Sequence, residues 1–388
     1  MFSHITKDFF GNKQSFSIGL IFISVGLLFG NWATFIPFVK SKFDLDDAQL
    51  GLLLLSLPFG ALAMNPVAAT LVRKIGMQKT SVYGIGFMLL TFSLLLNAPS
   101  VYLQSFFLFL CGCGISITNV GMNTCVGAIE HHFDIKIMST CHGMFSLGLM
   151  FGSICSSFFG GMGLLLPGLY MSLVGALLFL VLLFAQKNIF LIKEEIHETN
   201  FEKSKFTFPK GSFLLMIIIG LCINITEGTM ADWSAVFMKD VVQTSTYFEG
   251  WGMAGYSLFM ALGRLIGDKI IPRFGANKVL FYGGILTIVG IIIVIMLPFT
   301  FSAIVGFAIV GAGVSCGAPI LYASAARVPN MAKGSGLAIM NTFAMGGFLF
   351  GPVLIGFISK ATTLSIAFAF IASLGLVWVI QSKRVRLF

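Results

Sequence analysis

The sequence predicts an all-α integral membrane protein with twelve transmembrane helices in two pseudo-symmetric six-helix bundles. Three observations carry this expectation. First, 57% of the 388 residues are hydrophobic and only 10% are charged, against roughly 25% charged in soluble domains. Second, the apolar runs are about the 20 residues a helix needs to cross a bilayer. Third, the chain repeats itself: Asn31-Trp32-Ala33 returns as Asp232-Trp233-Ser234, 201 positions later.

The first six spans are expected at approximately 15–39, 49–71, 80–97, 101–128, 138–160 and 163–185. The second six are expected at 211–238, 249–271, 278–297, 300–325, 334–359 and 361–381. Barrel strands are excluded, because they run about ten residues with strict alternation. In lipid the backbone must satisfy its own hydrogen bonds, so runs of this length are helices. Lys7 and Lys13 precede the first span, which outruns a signal-peptide core and reads as a retained helix.

Between the sixth and seventh spans lies a charged stretch, 186–210, with Lys187, Glu194, Glu195, Glu198, Glu202 and Lys205. It reads as a linker dividing an N-terminal bundle (1–185) from a C-terminal bundle (211–388). With both termini in the cytoplasm of a cell with an inner membrane, 19 of the 24 Lys and Arg face inward. Lys40, Lys42, Lys239 and Lys360 face outward, and Arg264 lies within a span. This is the positive-inside pattern. The net charge of +9 therefore reports topology, and nucleic acid is not an expected partner.

The repeat continues at an offset of 199. Gly112, Gly114 and Ser116 meet Gly311, Gly313 and Ser315, and His142 meets Asn341. Gly148 and Gly152 meet Gly347 and Gly351, at the small-x-x-x-small spacing that lets helices approach closely. The same close crossing is expected in each half. A duplicated, membrane-embedded half is the signature of a secondary transporter.

Charges inside a span are costly and are functional candidates by default. Glu227 leads. It lies about 16 residues into the seventh span, roughly 24 Å from its start at 1.5 Å per residue. A carboxyl at that depth suits proton loading and release; the competing reading is a structural carboxyl satisfied by neighbouring hydroxyls. Asp232 is nearer the outer surface, where it is either solvated or part of the proton path. Trp32 and Trp233 are either interfacial anchors or an apolar platform for a ring-shaped solute. Asn31, Asn119, Asn123, Asn224 and Tyr322 offer neutral hydrogen-bonding groups to a polar solute. Asn119 and Asn123 share one helix face.

His142 begins the fifth span and is either structural or a gate residue. Arg264 and Asp268 are four apart on the eighth span, one turn of one face. Arg264 falls about 13 Å below Glu227 by rise per residue, so it is expected to pair with Asp268 at an inner gate and not with Glu227. The seven cysteines all lie in apolar segments without a Cys-x-x-Cys, so free thiols are expected and a metal site is not. Neither a nucleotide-binding loop nor a nucleophile–base cluster at one depth is visible. No cofactor and no enzyme activity are expected.

The residues resemble those of the major facilitator superfamily over essentially the whole chain. Gly267-Asp268-Lys269-Ile270-Ile271-Pro272-Arg273-Phe274-Gly275 resembles that family's loop motif, an acidic residue followed by Arg-x-Gly. The resemblance implies an inner-gate latch at Arg273. The equivalent Arg73-Lys74-Ile75-Gly76 keeps the basic residues and the glycine but has Arg73 where the family usually has Asp. More specifically, Asn31-Trp32-Ala33-Thr34, Met122-Asn123, Cys141-His142-Gly143-Met144, Glu227-Gly228 and Asp232-Trp233 resemble the YbjJ-like branch, neighbours of the fucose permease-like transporters. That branch often has an acidic residue where this chain has Asn119.

The combined expectation is a monomeric transporter that moves a small polar or amphipathic, sugar-like metabolite by alternating access, driven by protons through Glu227. Two alternatives remain open at this point. One is a proton-coupled exporter of drugs or metabolites. The other is a transporter-like receptor that binds without turnover.

Overall fold

The structure is a computed structural model describing residues 9–163, 166–192, 209–329, 331 and 335–388; the side chain of Asp268 is also outside the description. Its helices are α1 (Lys13–Lys42), α2 (Asp47–Leu54), α3 (Ser56–Ile75), α4 (Met77–Leu95), α5 (Val101–Phe133), α6 (Met138–Met162) and α7 (Pro167–Ile189). The second half contributes α8 (Gly211–Asp240), α9 (Trp251–Phe274), α10 (Ala276–Met296), α11 (Thr300–Val314), α12 (Gly317–Ala325), α13 (Ser335–Ala361) and α14 (Leu364–Arg384).

These fourteen helices fill the twelve expected spans, because two spans are interrupted. Pro58 has no N–H for the carbonyl of Leu54, and the second span breaks into α2 and α3 around Leu55. Pro319 does the same to the tenth span, which breaks between Val314 and Gly317. Ten spans among the described residues are long and apolar enough to cross a membrane. The remaining two form as α4, 19 residues, and α9, 24 residues. α9 carries Arg264, Asp268, Lys269 and Arg273 toward one end. The linker begins later than expected, since α7 continues to Ile189; most of it, 193–208, lies outside the described residues.

Helix starts follow side-chain capping. Asn12 accepts the N–H groups of Gln14 and Ser15 at 2.9 and 3.1 Å. Asp46 and Gln49 form a reciprocal capping box: each side chain accepts the other's N–H at 2.9 Å. The turns after α3 and α9 are built alike. Gly76 (φ 87°) and Gly275 (φ 85°) both occupy the region that glycine alone enters freely, which gives the two basic loops of the repeat one backbone shape.

The helices pack as two compact units. The first gathers α1 and most of the first half, together with residues 245–254. Its central crossing is α1 on α6. A Cβ on Gly148 would stand 2.3 Å from the Ile23 carbonyl oxygen, and one on Gly152 would stand 2.4 Å from that of Leu27. Only hydrogen fits at either position. Lys42 closes the end of α4 by donating to the carbonyls of Leu96 and Ala98 at 3.0 and 2.7 Å, a cation at a helix C-terminus. The N–H of Gly250 donates to Ser157 Oγ at 2.7 Å.

The second unit gathers the later helices with residues 46–51. Trp233 and Trp378 are fully buried, and Phe237 packs against Phe368 with ring centroids 4.6 Å apart. Lys360, near the end of α13, pairs with Asp46 at 2.9 Å, and Ser359 donates to Asp47. The repeated glycines behave differently here. A Cβ on Gly347 would meet Asn224 Cβ at 2.8 Å, yet one on Gly351 would meet nothing closer than 3.6 Å. The expectation of one close crossing in both halves is therefore corrected. Only the first half has carbonyl oxygens pressed against both glycines.

Candidate proton and solute site

Glu227 sits in the interior of α8, and its side chain is 16% exposed. Arg264 Nη2 of α9 lies 3.7 Å from Glu227 Oε1. This overturns the expectation that the two are too far apart in depth to pair. Rise per residue locates the backbone only. Two long side chains that bend toward each other close a gap that helix positions alone leave open. The distance makes an ion pair but exceeds a hydrogen bond, and Glu227 Oε1 is buried without a hydrogen-bond partner.

Two phenols complete the cluster. Tyr256 stands two turns before Arg264 on α9. Its hydroxyl is buried and has no hydrogen-bond partner. Tyr322 of α12 donates to Asn341 Oδ1 of α13 at 3.4 Å. Glu227 is within electrostatic reach of both. The second unit therefore holds a carboxylate and a guanidinium at ion-pair distance, with Glu227 Oε1 and Tyr256 Oη buried and without hydrogen-bond partners. Tyr256 had no motif to mark it. The one signal was its place two turns from Arg264.

The other candidates fall in different places. Asp232 is half-buried and lies five residues beyond Glu227, about 140° around the helix, so it does not share Glu227's face. Trp32 and Trp233 are 2% and 0% exposed. Burial inside protein removes the lipid-interface reading, since an anchor projects toward headgroups. Asn224 donates to the Gly220 carbonyl and Asn31 to the Leu27 carbonyl, both at 2.7 Å. These bonds run along their own helices, leaving Asn31 Oδ1 buried without a partner. Asn123 donates to Asn119 Oδ1 at 2.7 Å, which places both on one face as their spacing requires.

Of the expected gate residues, His142 packs edge-on against Phe22, ring centroids 5.3 Å apart. Arg73 is exposed and donates to Thr70 Oγ1 at 3.1 Å within its own helix. Arg273 is exposed, with its guanidinium over the Phe274 ring at 5.6 Å. The Asp268 side chain is outside the described residues. Arg264 pairs with Glu227, and its expected pairing with Asp268 lies outside the described residues.

The Major Facilitator Superfamily model matches residues 15–329 and 217–386. This chain belongs to the major facilitator superfamily. An uncharacterized MFS-type transporter of Yersinia pestis is 33% identical over 381 residues, covering 96% of each chain. Membrane protein MosC of Rhizobium meliloti is 27% identical, covering 93% of this chain and 87% of its own. Among solved structures, the nucleoside transporter NupG (D323A mutant) superposes with a TM-score of 0.75 at 12% identity, over 96% of this chain and 99% of its own. A bacterial homolog of the human lysosomal transporter Spinster superposes with a TM-score of 0.70 at 16% identity, over 95% of each chain. At those identities the likeness is one of fold. As a superfamily member the protein is a multi-pass membrane transporter of a small molecule.

Proposed function

We propose that this superfamily member is a proton-coupled secondary transporter of a small polar metabolite, working by alternating access with Glu227 as the proton carrier. The observation that carries the reading is the Glu227–Arg264 pair inside membrane-spanning helices. A carboxylate there is expensive, and among the described residues its charge partner Arg264 stands off at 3.7 Å without a hydrogen bond. Structural ion pairs are usually hydrogen-bonded on both sides. This one retains an acceptor oxygen for a proton. Asp232 is a second carboxyl on the same helix and a station for the proton nearer the outer surface. The reading also places the protein as a monomer in the inner membrane, with both termini in the cytoplasm.

The test is a thermal-shift screen of purified protein against sugars, nucleosides, amino acids and organic acids at about pH 5.5 and 7.5, followed by counterflow in liposomes. A ligand whose effect depends on pH in the native protein and not in Glu227→Gln supports the reading. Equal pH dependence in both proteins rejects Glu227 as the carrier. Binding without counterflow indicates a receptor.

A further inference from the structure

The chain beyond α14 is docked on the second unit. Val385 leaves the helix in extended conformation (φ −69°, ψ 134°), and residues 385–388 touch three other helices in turn. Asn277, the second residue of α10, donates to the carbonyls of Ser382 and Val385 at 3.3 and 2.8 Å. Arg386 donates its N–H to the hydroxyl of Ser212, the second residue of α8, at 3.3 Å. Phe388 donates its N–H to Ser324 Oγ of α12 at 2.7 Å. Val385 is buried while Arg386 is exposed, the alternation of an extended segment lying on a surface. Four extended residues reach about 13 Å, further than the roughly 8–10 Å between packed helix axes, so one short segment can hold all three.

The first unit is finished in the same way. After α7, the Leu191 carbonyl accepts from Gln14 Nε2 at 3.0 Å, and the Ile192 carbonyl accepts from Gln78 Nε2 at 2.8 Å. Gln78 and Asn277 are counterparts at the repeat offset of 199, and Ile192 is buried like Val385. A segment bound at the starts of the first and third spans of its bundle is thus part of the duplicated plan. The second unit adds the bond to Ser324.

That bond falls on a short helix. α12 is nine residues long and is severed from α11 by the break between Val314 and Gly317. A helix of that length is not stable by itself, so its position depends on what it touches. Ser324 is buried and uses its hydroxyl twice, accepting from Phe388 and donating to Met216 Sδ of α8 at 3.6 Å. Two residues away, Tyr322 donates to Asn341. Hinges are a few residues at element ends that absorb a change of dihedral angle, and the break supplies them. We propose that residues 385–388 are a strap that clamps α12, and that the tenth span changes shape by swinging α12 about the Val314–Gly317 break when the strap lifts. Ser324 and Asn277 are the positioning residues of this clamp. Because Tyr322 rides on α12, the strap governs the Tyr322–Asn341 bond. The inference requires no assumption about the proton carrier or the solute.

The experiment is hydrogen exchange of the purified protein, read by mass spectrometry over 317–325. Ser324→Ala removes the acceptor, and Phe388→Pro removes the donor, since proline has no N–H. Phe388→Ala keeps that N–H. Asn277→Ala frees the carbonyls of Ser382 and Val385. Exchange over 317–325 should quicken by roughly 2- to 10-fold in Ser324→Ala, Phe388→Pro and Asn277→Ala, one hydrogen bond's worth of local opening, with Phe388→Ala closer to native protein than Phe388→Pro. The double variant Ser324→Ala/Phe388→Pro should exchange no faster than either single variant, because both remove the same bond. Gln78→Ala makes the matching change in the first unit and should leave 317–325 at its native rate. Cys316, buried at the break, should react faster with N-ethylmaleimide in the three strap variants, while buried Cys111 of the first unit should not.

Unchanged exchange over 317–325 in Ser324→Ala and Phe388→Pro overturns the inference. Faster exchange spread across the whole second unit also overturns it, since residues 385–388 would then be a general stabilising contact. The same holds if Gln78→Ala quickens 317–325, because the effect would be a loosening of the entire fold.

Discussion

Replacing Gly148 by alanine tests how the first unit is held together. Its Cβ would stand 2.3 Å from the Ile23 carbonyl oxygen, 2.8 Å from the Leu27 nitrogen and 3.0 Å from the Gly26 Cα. Ordinary contact begins near 3.4 Å, so α1 and α6 must separate by about 1 Å. All three obstacles are backbone atoms, which no rotamer change moves aside. Overpacking of this kind costs about 1–3 kcal/mol, and a backbone obstacle argues for the upper end. Alanine recovers about 0.5–1 kcal/mol of helix propensity over glycine, leaving a net loss near 2 kcal/mol. For a unit of this size that is a fall of roughly 4–8 °C in Tm. Gly351→Ala is the internal control. Its nearest atom would be 3.6 Å away, so the propensity gain stands alone and Tm should rise slightly or stay level. The assay is thermal melting of detergent-purified protein followed by fluorescence-detected size exclusion. Equal shifts for the two variants, or no shift for Gly148→Ala, would refute the reasoning from backbone contact.

Further outcomes are expected. Arg264→Gln strands the Glu227 carboxylate and should destabilise by about 3–5 kcal/mol at neutral pH, while the double variant Glu227→Gln/Arg264→Gln recovers most of the loss; denaturation in detergent compares them. Lys360 holds the Asp46 carboxyl below its ordinary range through a hydrogen bond and its charge, and the Gln49 N–H adds to this. A depressed folded pKa means the contribution is present above the unfolded value, about 3.9, and is lost as the pH falls through the folded value. Asp46→Asn and Lys360→Met should each lower Tm slightly at pH 7, and their difference from native protein should shrink as the pH falls through the folded value of Asp46. If Asp46→Asn protein shows the native Tm at pH 7, the pair contributes nothing. Pro319→Ala should restore the missing backbone N–H and fuse α11 with α12, lowering backbone hydrogen exchange at Ala318–Leu321; unchanged exchange would mean that packing, and not proline, sets the break.

The sequence by itself determined the membrane class, the duplication and the approximate place of each span, though not the breaks at Leu55 and between Val314 and Gly317. Those features depend on local properties: apolar length, capping residues such as Asn12 and Asp46, prolines that remove an N–H, and glycines at loop turns such as Gly76 and Gly275. It also singled out Glu227, because a carboxyl in an apolar run stands out whatever surrounds it. Tertiary structure decided what Glu227 meets. Depth counted along helices placed Arg264 too far away, because such counting ignores side-chain reach and the approach of one helix to another. Tyr256 joined the cluster for the same reason. The unequal packing of Gly152 and Gly351, counterparts in the sequence repeat, depends on which atoms the facing helix presents. The burial of Trp32 and Trp233 was likewise undecided until packing was known, since an indole at that depth suits lipid and protein equally. Periodicity states which face a residue occupies; only the packed helices state what lies opposite.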